Sequence, residues 1–118
     1  MEIDPATGTF TNAIGAGTSG QDELLGVTYD AASKGVFVTG YFTGPSITLP
    51  GTAALTSLGA SDIIIAAYSV ANNNFIWSKV AGGAGNDRAN TICSDNLGWF
   101  AYHPVFQRVI PVSSAVFP

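Results

Sequence analysis

The sequence has little charge, and most of what it has is negative. Only 10% of its 118 residues are charged, with four Lys and Arg against eight Asp and Glu, so the net charge is −4. A nucleic-acid backbone or an anionic membrane surface would repel this balance, and neither is expected as a partner. Because 47% of the residues are hydrophobic, a disordered chain and a solvated coiled coil are also excluded. We expect one small domain with one core.

Cysteine and histidine occur once each. A single cysteine, Cys93, excludes an internal disulfide and a two-cysteine metal site. Its neighbours Ile92 and Ser94 indicate a strand, where a lone cysteine is expected to be a small buried hydrophobe. The single histidine, His103, precedes Pro104, and no recognisable nucleophile motif accompanies it. A catalytic triad is therefore not expected.

Long apolar runs are missing as well. No window approaches the roughly 18 uncharged apolar residues of a spanning helix, and the first residues lack the basic and apolar regions of a signal peptide. We expect neither a spanning helix nor a signal peptide in these 118 residues.

What the sequence does contain is turn residues between short apolar runs. Fourteen glycines, with many Thr, Ser and Asn, separate runs of five to nine residues, which is typical of short strands and tight turns. The predicted strands are 24–29, 35–42, 62–70 and 74–80. The unbroken apolar run 62–70 indicates a strand covered on both faces, whereas 74–80 alternates and is expected to be half-exposed. Residues 45–59 are predicted to be a loop with at most a short strand at 53–57.

Comparison of the sequence with itself reveals a period of about 65 residues, which is the signature of a repeat architecture. The matched pairs include Phe10 with Phe75, Gly17 with Gly82, Gly20 with Gly85, Asp22 with Asp87 and Asp30 with Asp95. Beyond Asp30 the spacing shortens by two positions, so that Phe37 matches Phe100. The match is expected to end at His103–Pro104, where a proline takes the place of Tyr41.

The repeated motifs resemble a known family. They are Gly82-Gly83-Ala84-Gly85-Asn86-Asp87 before a strand, Gly35-Val36-Phe37-Val38-Thr39-Gly40-Tyr41-Phe42, Leu55-Thr56-Ser57-Leu58-Gly59-Ala60-Ser61-Asp62-Ile63, and Trp77 before the next Gly-Gly. In this order over residues 3–102 they resemble the SBBP-type β-propeller repeat, a module of secreted and cell-surface proteins that are mostly bacterial.

This resemblance implies an all-β fold of antiparallel four-stranded β-propeller blades, present as an incomplete propeller. Within one blade the order would be 24–29 innermost, then 35–42 and 62–70, with 74–80 outermost. Residues 1–19 would be the end of a preceding blade, with its outer strand at 9–14 and a connecting turn. Residues 20–83 would be one complete repeat, 84–102 the start of a following blade, and 103–118 a divergent tail.

The function implied by the resemblance is that of a non-catalytic structural or interaction module, part of a larger extracellular or cell-surface protein. No catalytic, cofactor-binding or metal-binding residue is assigned, and no cofactor is expected. The partners would be other blades or a second chain, through exposed blade faces, and a protein or glycan ligand is conceivable. A ring usually needs at least four blades. We therefore expect this chain alone either to associate or to expose an apolar face.

Two other functions are open at this point. A lyase or glycosidase acting at a propeller rim could use a carboxylate pair among Asp22, Glu23, Asp62 and Asp87. Most of these acids recur at repeat positions, as structural turn residues do. The turn Gly82–Asp87 also fits one copy of a calcium-binding nonapeptide, because turn carbonyls and a carboxylate are hard oxygen ligands. No second copy follows in 91–98, so the sequence favours a tight turn closed by an Asp–backbone bond, with Asp22 and Asp87 in equivalent roles.

The aromatic residues allow one more alternative, a platform for a sugar or peptide. At strand spacing, aromatic side chains more often pack between blades, which is the interpretation preferred for this set. Its members are Tyr29, Tyr41, Tyr68, Trp77, Trp99 and Tyr102.

Overall fold

The computed structural model describes residues 2–97 and 100–105, and this part of the chain is all β. In that part no helix is long and apolar enough to cross a membrane. The strands, in chain order, are β1 (Glu2–Ile3), β2 (Phe10–Asn12), β3 (Asp22–Asp30), β4 (Gly35–Phe42), β5 (Ser46–Ile47), β6 (Leu55–Thr56), β7 (Asp62–Ser69), β8 (Asn74–Ala81), β9 (Arg88–Ser94) and β10 (Phe100–Val105).

The centre of the molecule is a four-stranded antiparallel sheet in the order β3-β4-β7-β8. Its two central strands are rich in Val, Ile, Phe and Tyr, which suit a pleated and buried surface. The predicted strands and their order in one sheet are thereby confirmed. The long loop after β4 contains β5 and β6, which pair with each other. Strand β6 falls within the predicted short strand at 53–57, but the expectation of at most one strand in this loop is wrong, because β5 forms its partner.

The sheet has two apolar faces, which we call face A and face B. Face A carries Phe37, Ile63, Ile65 and Ala67, and strand β9 covers it with its own apolar side chains. Face B carries Phe42, Ile64 and Ala66, packed against Ile47 and Leu49 of the loop. Residues 62–67 are all buried, as expected for a strand covered on both sides.

The repeat period is present in the strand pairing at the N-terminal end. Strands β1 and β2 pair in the same register as β7 and β8, one period apart. Each hairpin has a β-bulge in its second strand, at Thr11 in the first and at the equivalent Ile76 in the second. The paired residues are Glu2–Asn12 and Ile3–Phe10 in one hairpin, and Ala67–Trp77 and Tyr68–Phe75 in the other. Strand β2 falls within the predicted outer strand at 9–14.

The pair β9–β10 reproduces the pair β3–β4 in the same way. The bulged residue is Leu25 in the first pair and Asn90, one period later, in the second. Phe100 pairs with Ser94 as Val36 pairs with Tyr29. Phe100 is therefore the equivalent of Val36, and its predicted match with Phe37 is wrong by one position.

Strand β10 also continues beyond the predicted end of the match at His103–Pro104. Pro104 pairs with Ala89, and Val105 pairs with Arg88. Because Arg88 lies one period after Glu23, which pairs with Tyr41, Val105 takes the position of Tyr41 in the second pair. Among the described residues β10 has a neighbour on one side only. A proline is tolerated in such a strand, because its missing N–H can face away from the neighbour. The rest of the predicted tail, 106–118, lies outside the described residues.

Candidate functional site

The acidic residues singled out by the sequence lie in turns at the ends of the strands. In the first turn, the carboxylate of Asp22 accepts hydrogen bonds from the backbone N–H of Thr18 at 2.6 Å and from its hydroxyl at 2.8 and 3.0 Å. Both carboxylate oxygens are thus bonded within the turn. This is the arrangement of a structural Asx-type turn.

The second turn repeats the backbone part of this arrangement. The N–H of Gly83 donates to Asp87 Oδ2 at 2.7 Å, and Gly83 lies one period after Thr18. Asp87 is nearly buried, and its own N–H donates to the carbonyl of Ser61 at 2.9 Å. The expected equivalence of Asp22 and Asp87 as turn-closing residues is therefore seen in the hydrogen bonds.

A third acid, Asp62, reaches the second turn from the start of β7. It is fully buried, and its Oδ2 accepts hydrogen bonds from the hydroxyl of Ser57 at 2.8 Å and from the N–H groups of Leu58 and Gly59 at 2.7 and 3.1 Å. Its other oxygen, Oδ1, is buried and has no hydrogen-bond partner. The sequence named Asp62 and Asp87 among four candidates for a carboxylate pair, but it could not show which of the four meet. These two are distant along the chain, and the β7–β8 hairpin brings them together.

The fourth acid, Glu23, belongs to a different cluster. Burial and a hydrogen bond with Glu23 raise the pKa of Tyr41 above its ordinary value of 10, while the nearby Arg88 opposes this shift. The Arg88 guanidinium lies 5.1 Å from the centre of the Tyr41 ring. Arg88 lies in β9, one period after Glu23, and Tyr41 lies in β4. The cation–π contact between Arg88 and Tyr41 therefore joins β9 to the sheet.

Face B has an exposed apolar end beside the edge strand β3. Leu24 is 57% exposed and Val27 is 68% exposed. They border a groove of about 200 Å³ whose lining also includes Val36, Val38 and Phe75. Specific small-molecule sites usually have volumes of about 300 Å³ or more, so this groove is better suited to packing against another protein surface.

The described residues bring together one pair of the acids weighed above, Asp62 and Asp87, beside Gly82. They contain no group of three or more His, Cys, Asp or Glu side chains placed to hold a metal ion. The side chain of His103 lies outside the described part. Cys93 is exposed, so the expectation that it is buried is wrong. In a strand successive side chains alternate, and because Ile92 packs inward, its neighbour Cys93 faces outward.

The aromatic residues divide between packing and exposure. Trp77 packs at 6.1 Å from Phe37 on face A, and Tyr68 contacts Phe75 edge to face at 5.5 Å. Tyr41 is buried, whereas Tyr29 is half exposed on the edge strand. The side chains of Trp99 and Tyr102 lie outside the described part. Packing therefore accounts for three of the four aromatic residues described.

The hydrogen bonds in the two turns predict that replacing Asp22 or Asp87 by Ala destabilises the fold more than replacing it by Asn. In the presence of a chelator, Asp87→Ala should lower the free energy of unfolding by about 1–3 kcal/mol, because the N–H of Gly83 loses its acceptor. Asp87→Asn keeps an acceptor oxygen and should be mild. Asp22→Ala and Asp22→Asn should follow the same order, with no response to calcium. Thermal and urea unfolding would measure this, and equal losses for the Ala and Asn variants would contradict the turn-closing role.

The chain was compared with known proteins, and no family model, curated protein or solved structure matches it.

Proposed function

We propose that this chain is a non-catalytic structural and interaction module of the β-propeller repeat type, whose sheets stack face to face on neighbouring repeats. The observation that carries the proposal is the repetition of pairing and bulge positions in two successive units. In line with the SBBP resemblance, its place would be outside the cell or at the cell surface.

The mode of stacking follows from the contact between β9 and face A. Ala89 and Ile92 of β9 are buried in the cluster on that face. Gly26 of β3 permits the close approach, because a Cβ there would lie 3.0 Å from the Cα of Thr91. The second sheet therefore begins by packing directly on the first.

The same contact identifies a free counterpart at the other end of the chain. Leu24 lies one period before Ala89, and Val27 lies one period before Ile92. The two residues of β3 occupy the same places in the β3–β4 pair as their counterparts occupy in the β9–β10 pair. They are exposed, whereas Ala89 and Ile92 are buried. We propose that the exposed end of face B packs on face A of another repeat unit, as β9 packs on this one. An apolar partner of this shape would remove Leu24 and Val27 from water.

In the isolated chain β9 already covers face A, so the open end of face B has no partner of that kind. The proposal therefore predicts concentration-dependent association through face B, and a specific variant that weakens it. Light scattering should show a mass above that of the monomer. Val27→Asp should shift the protein toward monomer, because a carboxylate would have to enter an apolar interface. A monodisperse parent monomer with a cooperative melt would contradict the proposal.

Leu97→Asp is the matched control. Leu97 is 77% exposed, more than Val27, but it lies in the turn after β9 and does not line the groove on face B. The control introduces the same charge at another exposed apolar residue, and it should leave the association unchanged. If both variants weakened association equally, net charge would be the cause, and face B would not be the interface.

A further inference from the structure

We propose that Asp62 and Asp87 together bind one divalent metal cation with calcium-like chemistry, beside Gly82. The site is separate from the stacking faces and does not depend on the proposed function. The site combines the turn Gly82–Asp87 with Asp62. From the sequence alone, that turn was expected to be closed by a hydrogen bond, and Asp62 was not placed beside it.

The first argument is the unpartnered oxygen. Asp62 is 0% exposed and its Oδ1 has no hydrogen-bond partner. A buried polar atom without a partner destabilises the fold, and more so when it carries charge, so such atoms are rare in stable proteins. Something that interacts with an anionic oxygen is therefore expected at Oδ1.

The second argument is the direction in which this oxygen points. A Cβ atom placed on Gly82 would lie 2.6 Å from Asp62 Oδ1 and 2.8 Å from Asp87 Oδ2. Oxygens of both carboxylates therefore converge on the same side of Gly82. Gly82 has a φ of 148°, a conformation that favours glycine, and any side chain there would displace both oxygens.

The third argument is charge. Asp62 is fully buried and Asp87 is 4% exposed, and neither forms an ion pair within residues 2–97. Three donors bond to Asp62 Oδ2 and one bonds to Asp87 Oδ2. Two adjacent buried carboxylates require compensation, which a divalent cation supplies.

The chemistry of the surroundings fits a hard cation. Calcium takes carboxylate, amide and main-chain carbonyl oxygens. Neutral oxygens occur in the turn that follows Gly82. The carbonyl of Gly85 accepts hydrogen bonds from the N–H groups of Ala60 and Ser61, and Asn86 Oδ1 accepts one from the Ser61 hydroxyl at 3.4 Å. Two carboxylates with neutral oxygens are typical of a weak site, which corresponds to a dissociation constant on the order of 10⁻⁴–10⁻³ M.

The first turn provides an internal comparison. There the hydroxyl of Thr18 donates to both oxygens of Asp22, and so completes the hydrogen bonding of the carboxylate. In the second turn the equivalent residue is Gly83, which has no hydroxyl, and Asp62 is present instead. The two turns thus share a backbone hydrogen bond, but only the second combines two buried carboxylates.

The test is calorimetric titration of the chelator-treated protein with calcium chloride, together with melting curves in calcium and in chelator. We expect one calcium ion per chain and a melting temperature that rises with calcium. Asp62→Asn and Asp87→Asn should each abolish binding. Asp22→Asn is the matched control, because it makes the same change in the first turn, and it should bind calcium like the parent.

Asp62→Asn has a second readout that does not depend on binding. Its amide can keep one oxygen toward the three donors and turn its NH₂ toward Asp87, so in chelator this variant should melt above the parent. A parent that shows neither binding nor a calcium-dependent melt at concentrations of about 10 mM would overturn the proposal. So would a calcium response that survives in Asp62→Asn.

Discussion

Gly40→Ala is expected to lower the free energy of unfolding by about 3 kcal/mol or more, the upper end of what overpacking costs. Gly40 is buried in β4, a central strand, and pairs with Leu24 on one side and Ile64 on the other. A Cβ on Gly40 would overlap the carbonyl oxygen of Glu23 and lie 2.8 Å from the Cα of Leu24. Both are backbone atoms, so no side-chain rotation can relieve the contact.

The reason for this close approach is the bulge at Leu25, which brings the β3 backbone toward Gly40. Urea unfolding followed by circular dichroism would measure the loss. Gly15→Ala is the control, because a Cβ there meets nothing within 4 Å. If Gly40→Ala cost no more than Gly15→Ala, β3 would have to be free to move away from β4, against the packing described above.

Ala89→Asp should detach the hairpin β9–β10 from face A. Ala89 is fully buried in the cluster with Phe37, Ile63 and Ile65. A carboxylate at this position would be buried without a partner, which costs about 3–5 kcal/mol. The four-stranded sheet should survive, because its own strand pairs are not altered. Amide hydrogen exchange would then show loss of protection in β9 and β10 and retention in β4 and β7.

Asn90→Asp is the control for this experiment. Asn90 is the adjacent residue, is exposed, and is the bulged residue of β9. Asn90→Asp introduces the same side chain one position along the strand, and this variant should change the hydrogen-exchange pattern little. Equal loss of protection in both variants would show that β9 does not depend on Ala89 for its attachment.

The strands could be predicted from the sequence because the signals for them are local or repeated, whereas their order in the sheet was implied by the family resemblance. Apolar runs bounded by glycine locate β3, β4, β7 and β8, and the repeat period relates Asp22 to Asp87. The same signals lead to an error of one position in the alignment of β10, since single glycine and aromatic matches do not reveal how residues pair across strands. Only the pairing of Phe100 with Ser94 fixes that alignment.

The sequence indicated the turn Gly82–Asp87 as one alternative for calcium, but the contribution of Asp62 to the candidate cation site could not be predicted, for a related reason. Asp62 precedes the hairpin β7–β8 and Asp87 follows it, and the direction of Asp62 Oδ1 depends on three hydrogen bonds to its other oxygen. The exposure of Cys93 is a simpler case. The strand itself was predicted, but which of two adjacent residues faces the core depends on register, and a shift of one residue reverses every side chain.

Each β-bulge recurs one period later although the residue type differs, Leu25 with Asn90 and Thr11 with Ile76. The backbone conformation therefore repeats where the side chain does not. A bulge increases the local twist, so identical placement gives successive units the same rotation. In the proposed repeat array each unit would interact with its neighbours only, and stability would be a sum of unit and interface energies. Each further copy of the repeat predicted at residues 20–83 would thus add one unit and one interface of the β9 type. Because the bulged residues themselves are exposed and differ between copies, they are the positions at which units can diverge in surface chemistry while the array keeps its geometry.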